Sequence, residues 1–188
     1  EYRDALAKAE ARLETAGVEV AEEARRLLAA VLDGTAGSGA LARLREMRGS
    51  TTGLAGLLEE DLRRAEAALR EATDDATRAR ALKAILSLEP AWLQEALAAA
   101  VAHPDAGPGL RTFAARSAAR RPGHEHLLER LEKGDLETRR IVARALAETR
   151  PPDAARALLG ALEDEDGEVR LQAFLALHGI TGKELGYD

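Results

Sequence analysis

Residues 127–150, LLERLEKGDLETRRIVARALAETR, and residues 158–181, LLGALEDEDGEVRLQAFLALHGIT, are one unit written twice. Laid over each other at a spacing of 31 residues, they share Leu127, Leu128, Leu131, Glu132, Asp135, Glu137, Arg139, Ala145 and Leu146. A recurrence near that length marks stacked helical pairs, each too small to bury its apolar face alone. The phase extends upstream. Arg78 is followed by Ala81, Ala84 and Ile85, Arg111 by Ala114, Ser117 and Ala118, Arg139 by Val142, Ala145 and Leu146, and Arg170 by Ala173, Ala176 and Leu177. Positions three, six and seven beyond each arginine fall on one helical face. Between these helices lie partner segments near 90–102, 123–132 and 152–163. Pro90, Pro122, Pro151 and Pro152 stand near their starts, where a missing N–H matters least.

The N-terminal part reads differently. Residues 2–16 and 18–33 form two helices split at Gly17, a residue able to take the left-handed conformation that ends a helix. Leu27, Leu28, Val31 and Leu32 give the second an apolar face. Residues 34–39, GTAGSG, are a loop, and a short helix follows over 40–48. The hydroxyls of Ser50, Thr51 or Thr52 are placed to cap the next helix, 53–72. There Leu54, Leu57, Leu58, Leu62, Ala65 and Leu69 keep a helical period. Glu59/Arg63, Glu60/Arg64 and Glu66/Arg70 sit four apart in the favourable order. Two regions result: a helical region over 1–72, holding diverged repeats or a cap, and a repeat region over 73–188.

Composition narrows the possibilities. Hydrophobic residues make up 46% of the chain but aromatics only 3%, so the core is built from Ala, Leu and Val, and an all-helical protein follows. A net charge of −6 argues against a general nucleic-acid or anionic-membrane binder. Residues 76–131 are nevertheless net basic between two acidic flanks, which leaves room for an acidic ligand. Cysteine is absent, which excludes disulfides and thiolate chemistry, and no apolar run is long enough for membrane insertion. The sequence opens on Glu1 rather than Met, and it is compatible with a cytoplasmic protein or with one exported after removal of a leader.

With Asp-x-x-x-Arg at Asp135/Arg139 and Asp166/Arg170, Ala-Leu at Ala145/Leu146 and Ala176/Leu177, and the leading Leu-Leu pairs, the chain resembles HEAT-repeat proteins. The likeness is to the bacterial HEAT-like, or phycobilisome-lyase-type, repeats. The unit around Arg111 is degenerate, with Asp105 displaced and Ser117/Ala118 in place of Ala-Leu. The resemblance implies a right-handed α-solenoid of four to six stacked antiparallel helix pairs. It also implies a ladder in which the Asp and Arg of adjacent repeats interact. The ending TGKELGYD is similar to the tails of some bacterial repeat arrays, after which more chain follows.

Candidate binding residues are few. Arg111, Arg116, Arg120 and Arg121, leading into His124 and His126, form a basic run suited to an acidic partner protein. Cations near a helix C-terminus are equally explained by the macrodipole. His124 and His126 stand two apart, which splays them around a helix, so no metal site is expected there. Trp92 is placed for core packing or a binding hot spot, and Phe113 and Phe174 for the core between repeats. No nucleophile–base series or phosphate loop is present; GTAGSG lacks the lysine a phosphate loop needs. The expectation is a non-catalytic protein–protein interaction scaffold or accessory subunit of a larger assembly, without cofactor. The alternatives that the resemblance implies are a DNA-repair or other nucleic-acid-binding protein and a chromophore-lyase-type accessory protein.

Overall fold

A computed structural model describes the backbone of residues 2–182 and the side chains of residues 17–182. Most of the TGKELGYD ending, from Lys183, lies outside the described residues. Helices and turns account for all the regular structure described, without a strand. The chain divides into two compact units, one ending at Ala91 and the other starting at Trp92.

In the first unit α1 is a continuous helix, Tyr2–Asp33, which corrects the expected break at Gly17. A glycine ends a helix by adopting positive φ, and α1 makes that turn at Gly34 instead (φ 77°). An interior glycine costs a helix only about 1 kcal/mol, which a long packed face can offset. Ala21, Ala24, Leu28 and Val31 supply that face. After α2 (Ala40–Ser50), the expected helix 53–72 is two: α3 (Leu54–Leu57) and α4 (Glu59–Glu71). The chain bends at Leu58 (φ −109°, ψ 15°), and Gly53 and Gly56 weaken the turn before it. The bend turns Leu57 outward while Leu58 stays fully buried. No hydroxyl caps α3; Ser50 Oγ donates to the Met47 carbonyl instead. On α4, Glu59 accepts from Arg63 at 2.9 Å and Glu66 pairs with Arg70, but Arg64 turns to Asp61 at 2.8 Å rather than to Glu60. Helix α5 (Asp75–Leu88) packs on α4, α2 and α1 inside this unit. Asp74 Oδ1 caps it, accepting from the Thr77 N–H at 2.8 Å.

The second unit holds three helix pairs: α6 (Leu93–Val101) with α7 (Pro108–Ala119), α8 (Glu125–Lys133) with α9 (Leu136–Thr149), and α10 (Ala155–Ala161) with α11 (Gly167–Thr181). A single 3-10 turn, Pro152–Ala154, leads into α10. Short connections return the chain antiparallel within each pair. Across pairs, α8 lies between α6 and α10, and α9 between α7 and α11, which is the contact pattern of a stack. The recurring residues face inward. Leu127, Val142, Ala145 and Leu146 are buried, and so are their counterparts Leu158, Ala173, Ala176 and Leu177. Small alanines let the helices approach closely, and leucines fill the space between. Two aromatic expectations are corrected: Phe113 is exposed, and Phe174 is only half-buried, its ring stacked on His178 at 6.4 Å. Trp92 is half-buried at the N-cap of α6.

Candidate interaction surfaces

The second unit is joined by arginines that reach forward from one pair to the next. Arg111, buried on α7, donates from Nε to the Val101 carbonyl at 2.7 Å and from its terminal nitrogen to Thr138 Oγ1 at 2.7 Å, with Asp135 3.7 Å away. Arg139 on α9 holds its own turn through the Gly134 carbonyl (3.0 Å). It then forks across to Asp164 (2.8 and 3.3 Å) and Glu165 (2.8 Å). Two parallel N–H donors on one carboxylate fix geometry as well as charge. Arg140 forks onto Asp166 at 3.0 and 2.6 Å, and Arg144 pairs with Glu168. A ladder is therefore present, with one shift from the expected register: Asp166 takes Arg140, while Arg139 takes Asp164.

The Asp residues also start helices. Asp135 Oδ1 accepts from the Thr138 N–H at 2.7 Å, and Asp166 Oδ1 from those of Glu168 and Val169 at 3.2 and 3.1 Å. The Arg140 fork, and then these backbone donors, hold the Asp166 carboxyl down at about 2. The Thr138 N–H and hydroxyl lower Asp135.

The six candidate binding residues, Arg111, Arg116, Arg120, Arg121, His124 and His126, do not form one surface. Arg111 is part of the interior. His124 is buried, its Nδ1 2.6 Å from Asp153 Oδ2 and its Nε2 3.2 Å from the Ala119 carbonyl, so it ties the end of α7 to the turn before α10. His126 is exposed on α8, whereas His124 is buried. Arg116 is exposed and paired with Glu148 at 2.6 Å, and Arg121 donates to the Ser117 carbonyl at 2.8 Å. Arg120 and Arg121 do meet His124 and Arg150 around a cleft of about 600 Å³ at the C-terminal ends of α7 and α9. Arg150 lies outside the basic run of residues 111–126 and joins it only in the fold. Its backbone takes positive φ (53°) to end α9, which carries it to this cleft.

A second depression, about 590 Å³, runs between α8 and α10 and meets the cleft at Asp153. Its floor is Leu128, Leu131, Ala157, Gly160 and Ala161; Glu132 and Arg156 stand at its rim. The signal for it lay in the repeat itself. At the 31-residue spacing, His126, Glu129 and Arg130 of α8 become Ala157, Gly160 and Ala161 of α10. Long polar side chains are thus removed from the side of α10 that faces α8.

Stacked antiparallel helix pairs, joined by forward ion pairs and presenting a variable outer surface, define a helical-repeat protein of the solenoid class. A family model described as HEAT repeats matches residues 124–185, and this segment of the chain consists of HEAT repeats. No curated protein matches the chain. None of the described helices is long and apolar enough to cross a membrane. Among the described residues, no group of three or more His, Asp or Glu side chains is placed to hold a metal ion.

Proposed function

We propose that the chain is a non-catalytic protein-binding scaffold, or an accessory subunit of a larger assembly, that receives a segment of another protein between α8 and α10. The supporting observation is that the packed residues of the last two repeats are kept while those between α8 and α10 are pared down to a trough with an apolar floor, edged by Glu132, Asp153, Arg156 and Asp164. At about 590 Å³ the trough falls within the range of ligand-receiving clefts. The adjoining Arg120, Arg121 and Arg150 favour acidic residues beside them in the partner. Capping and inter-repeat pairing already occupy Asp135, Asp166, Arg111 and Arg139, which supports a binding role over a chemical one.

Gly160→Arg is the test, because a Cβ at Gly160 meets nothing within 4 Å and the added side chain would fill the trough without entering the core. Melting should not fall below that of the parent and should rise by no more than about 4 °C, since replacing a helical glycine gains up to about 1 kcal/mol. Recovery of the partner in co-purification should fall at least about tenfold, the effect of 1.4 kcal/mol. Undiminished recovery with the trough filled would refute this reading.

A further inference from the structure

A buried histidine joins three elements at the point where the cleft meets the trough. His124, the N-cap residue of α8, is 6% exposed. Its Nδ1 lies 2.6 Å from Asp153 Oδ2, in the 3-10 turn before α10, and its Nε2 lies 3.2 Å from the carbonyl of Ala119, the last residue of α7. At the 31-residue spacing, His124 corresponds to Ala155 and Asp153 to Pro122, so the neighbouring repeat has no such contact. A carbonyl and a carboxylate both accept hydrogen bonds, and a neutral imidazole has one N–H to give. Only the imidazolium donates to both at once. Without its proton, Nδ1 would set a lone pair against the carboxylate at 2.6 Å. Without the Nε2 proton, the buried Ala119 loses a donor for its carbonyl at a helix end, where the helix supplies none. Asp153 holds the stronger, charge-assisted bond, so the proton leaves from Nε2.

We propose that His124 is a proton-operated latch of the cleft: as the imidazolium it binds the turn before α10 to the end of α7, and as the neutral imidazole it releases α7. Charged side chains reach this corner from each element around it. Arg120 and Arg121 come from the end of α7, Glu148 and Arg150 from the end of α9, and Asp153 from the turn. Glu125 follows His124 in α8, and Arg156 of α10 shares the trough with Asp153. From α6 comes Gln94, which is uncharged and donates to the Pro122 carbonyl at 2.7 Å. Glu148 is already paired with Arg116, and Arg121 with the Ser117 carbonyl. Of these side-chain types, histidine alone ordinarily changes charge between about pH 5 and 8, so a response in that range belongs to His124. Because Asp153 lines both the cleft and the trough, the latch governs how the two join and how far that carboxylate is offset there. Its consequence for a partner rests on the function proposed above; the latch itself is tested on the chain alone, so either can fail without the other.

The test is NMR of the full chain between about pH 5 and 8. Long-range nitrogen–proton spectra should show both His124 nitrogens protonated at the acid end and Nδ1 alone at the basic end. The Arg121 and Ala154 amides donate to the Ala118 and Pro151 carbonyls, on either side of the latch. Across the same range their exchange protection, corrected for intrinsic rates, should fall at least about tenfold, the effect of one charge-assisted hydrogen bond. His124→Asn keeps a helix-capping side chain but cannot change charge, and should abolish that pH dependence. Should the variant fail to fold, the parent spectra decide by themselves. One ring proton at both ends of the range, two at both ends, or protection that does not follow the ring's titration would overturn the proposal. So would a pH dependence that survives in His124→Asn, or a basic form protonated at Nε2, since Asp153 and not α7 would then be released.

Discussion

Asp166 is asked to do two things at once: start α11 and receive Arg140. Both favour the ionised carboxyl, and its pKa of about 2 follows, against an ordinary value near 3.9. A depressed folded pKa means that the stabilisation is fully present above the unfolded value and is lost as pH falls through the folded one. The window is therefore roughly pH 4 down to 2. Carboxyl chemical-shift titration should place Asp166 near 2 in the parent chain and move it toward the ordinary range in Arg140→Ala. An unmoved midpoint would mean that the fork is not what holds the proton off. Arg111 illustrates the limit of sequence reading at this scale. In the string of residues it is another arginine of a basic run, yet its guanidinium is built into the interior between the Val101 carbonyl and Thr138. Its apolar companions Ala114 and Ala118 gave the helix face correctly. Which way a long side chain leaves that face depends on acceptors distant in sequence.

At the scale of single elements, two glycines predict opposite outcomes. A Cβ at Gly134, in the turn between α8 and α9, would lie 2.5 Å from the Arg130 carbonyl and 2.8 Å from Thr138 Cγ2. Because the first contact is backbone, the turn must open, and Gly134→Ala should destabilise by about 1–3 kcal/mol. At Gly160 the added methyl meets open space, and the gain in helix propensity should stabilise by up to about 1 kcal/mol. Denaturant midpoints should move in opposite directions; a common direction would discredit the packing description of the α8–α9 turn. The helices from α5 onward were legible in the sequence because apolar period, caps and prolines agree there. The Asp74 cap repeats the Asp-x-x-x-Arg spacing two units upstream of Asp135/Arg139. The first third was less legible. Gly17 and Gly56 carry the same local signal, yet α1 runs through the first and the chain bends just past the second. Tertiary packing, not the glycine, decides between them.

For the chain as a whole, the sequence repeat accounts for the second unit, whose three pairs share one plan. It says less about function, because what recurs is the packed face of the helices together with the capping and pairing residues Asp135/Asp166 and Arg139/Arg170. The trough between α8 and α10 and the His124 contact both arise where the repeat is broken, and a search for shared residues passes over such positions. An interior that repeats and is tied across by arginines leaves the exterior free to take on a partner's shape.

That tie can be measured. Arg139 and Asp164 are largely shielded, with side chains 14% and 12% accessible, and they join consecutive repeats through a fork. A double-mutant cycle with Arg139→Ala and Asp164→Ala, read by urea denaturation of the full chain, isolates their coupling. We expect about 1–3 kcal/mol, above the 0.2–1 kcal/mol of an exposed pair. A coupling indistinguishable from zero would contradict the account of repeats locked together by forward-reaching arginines.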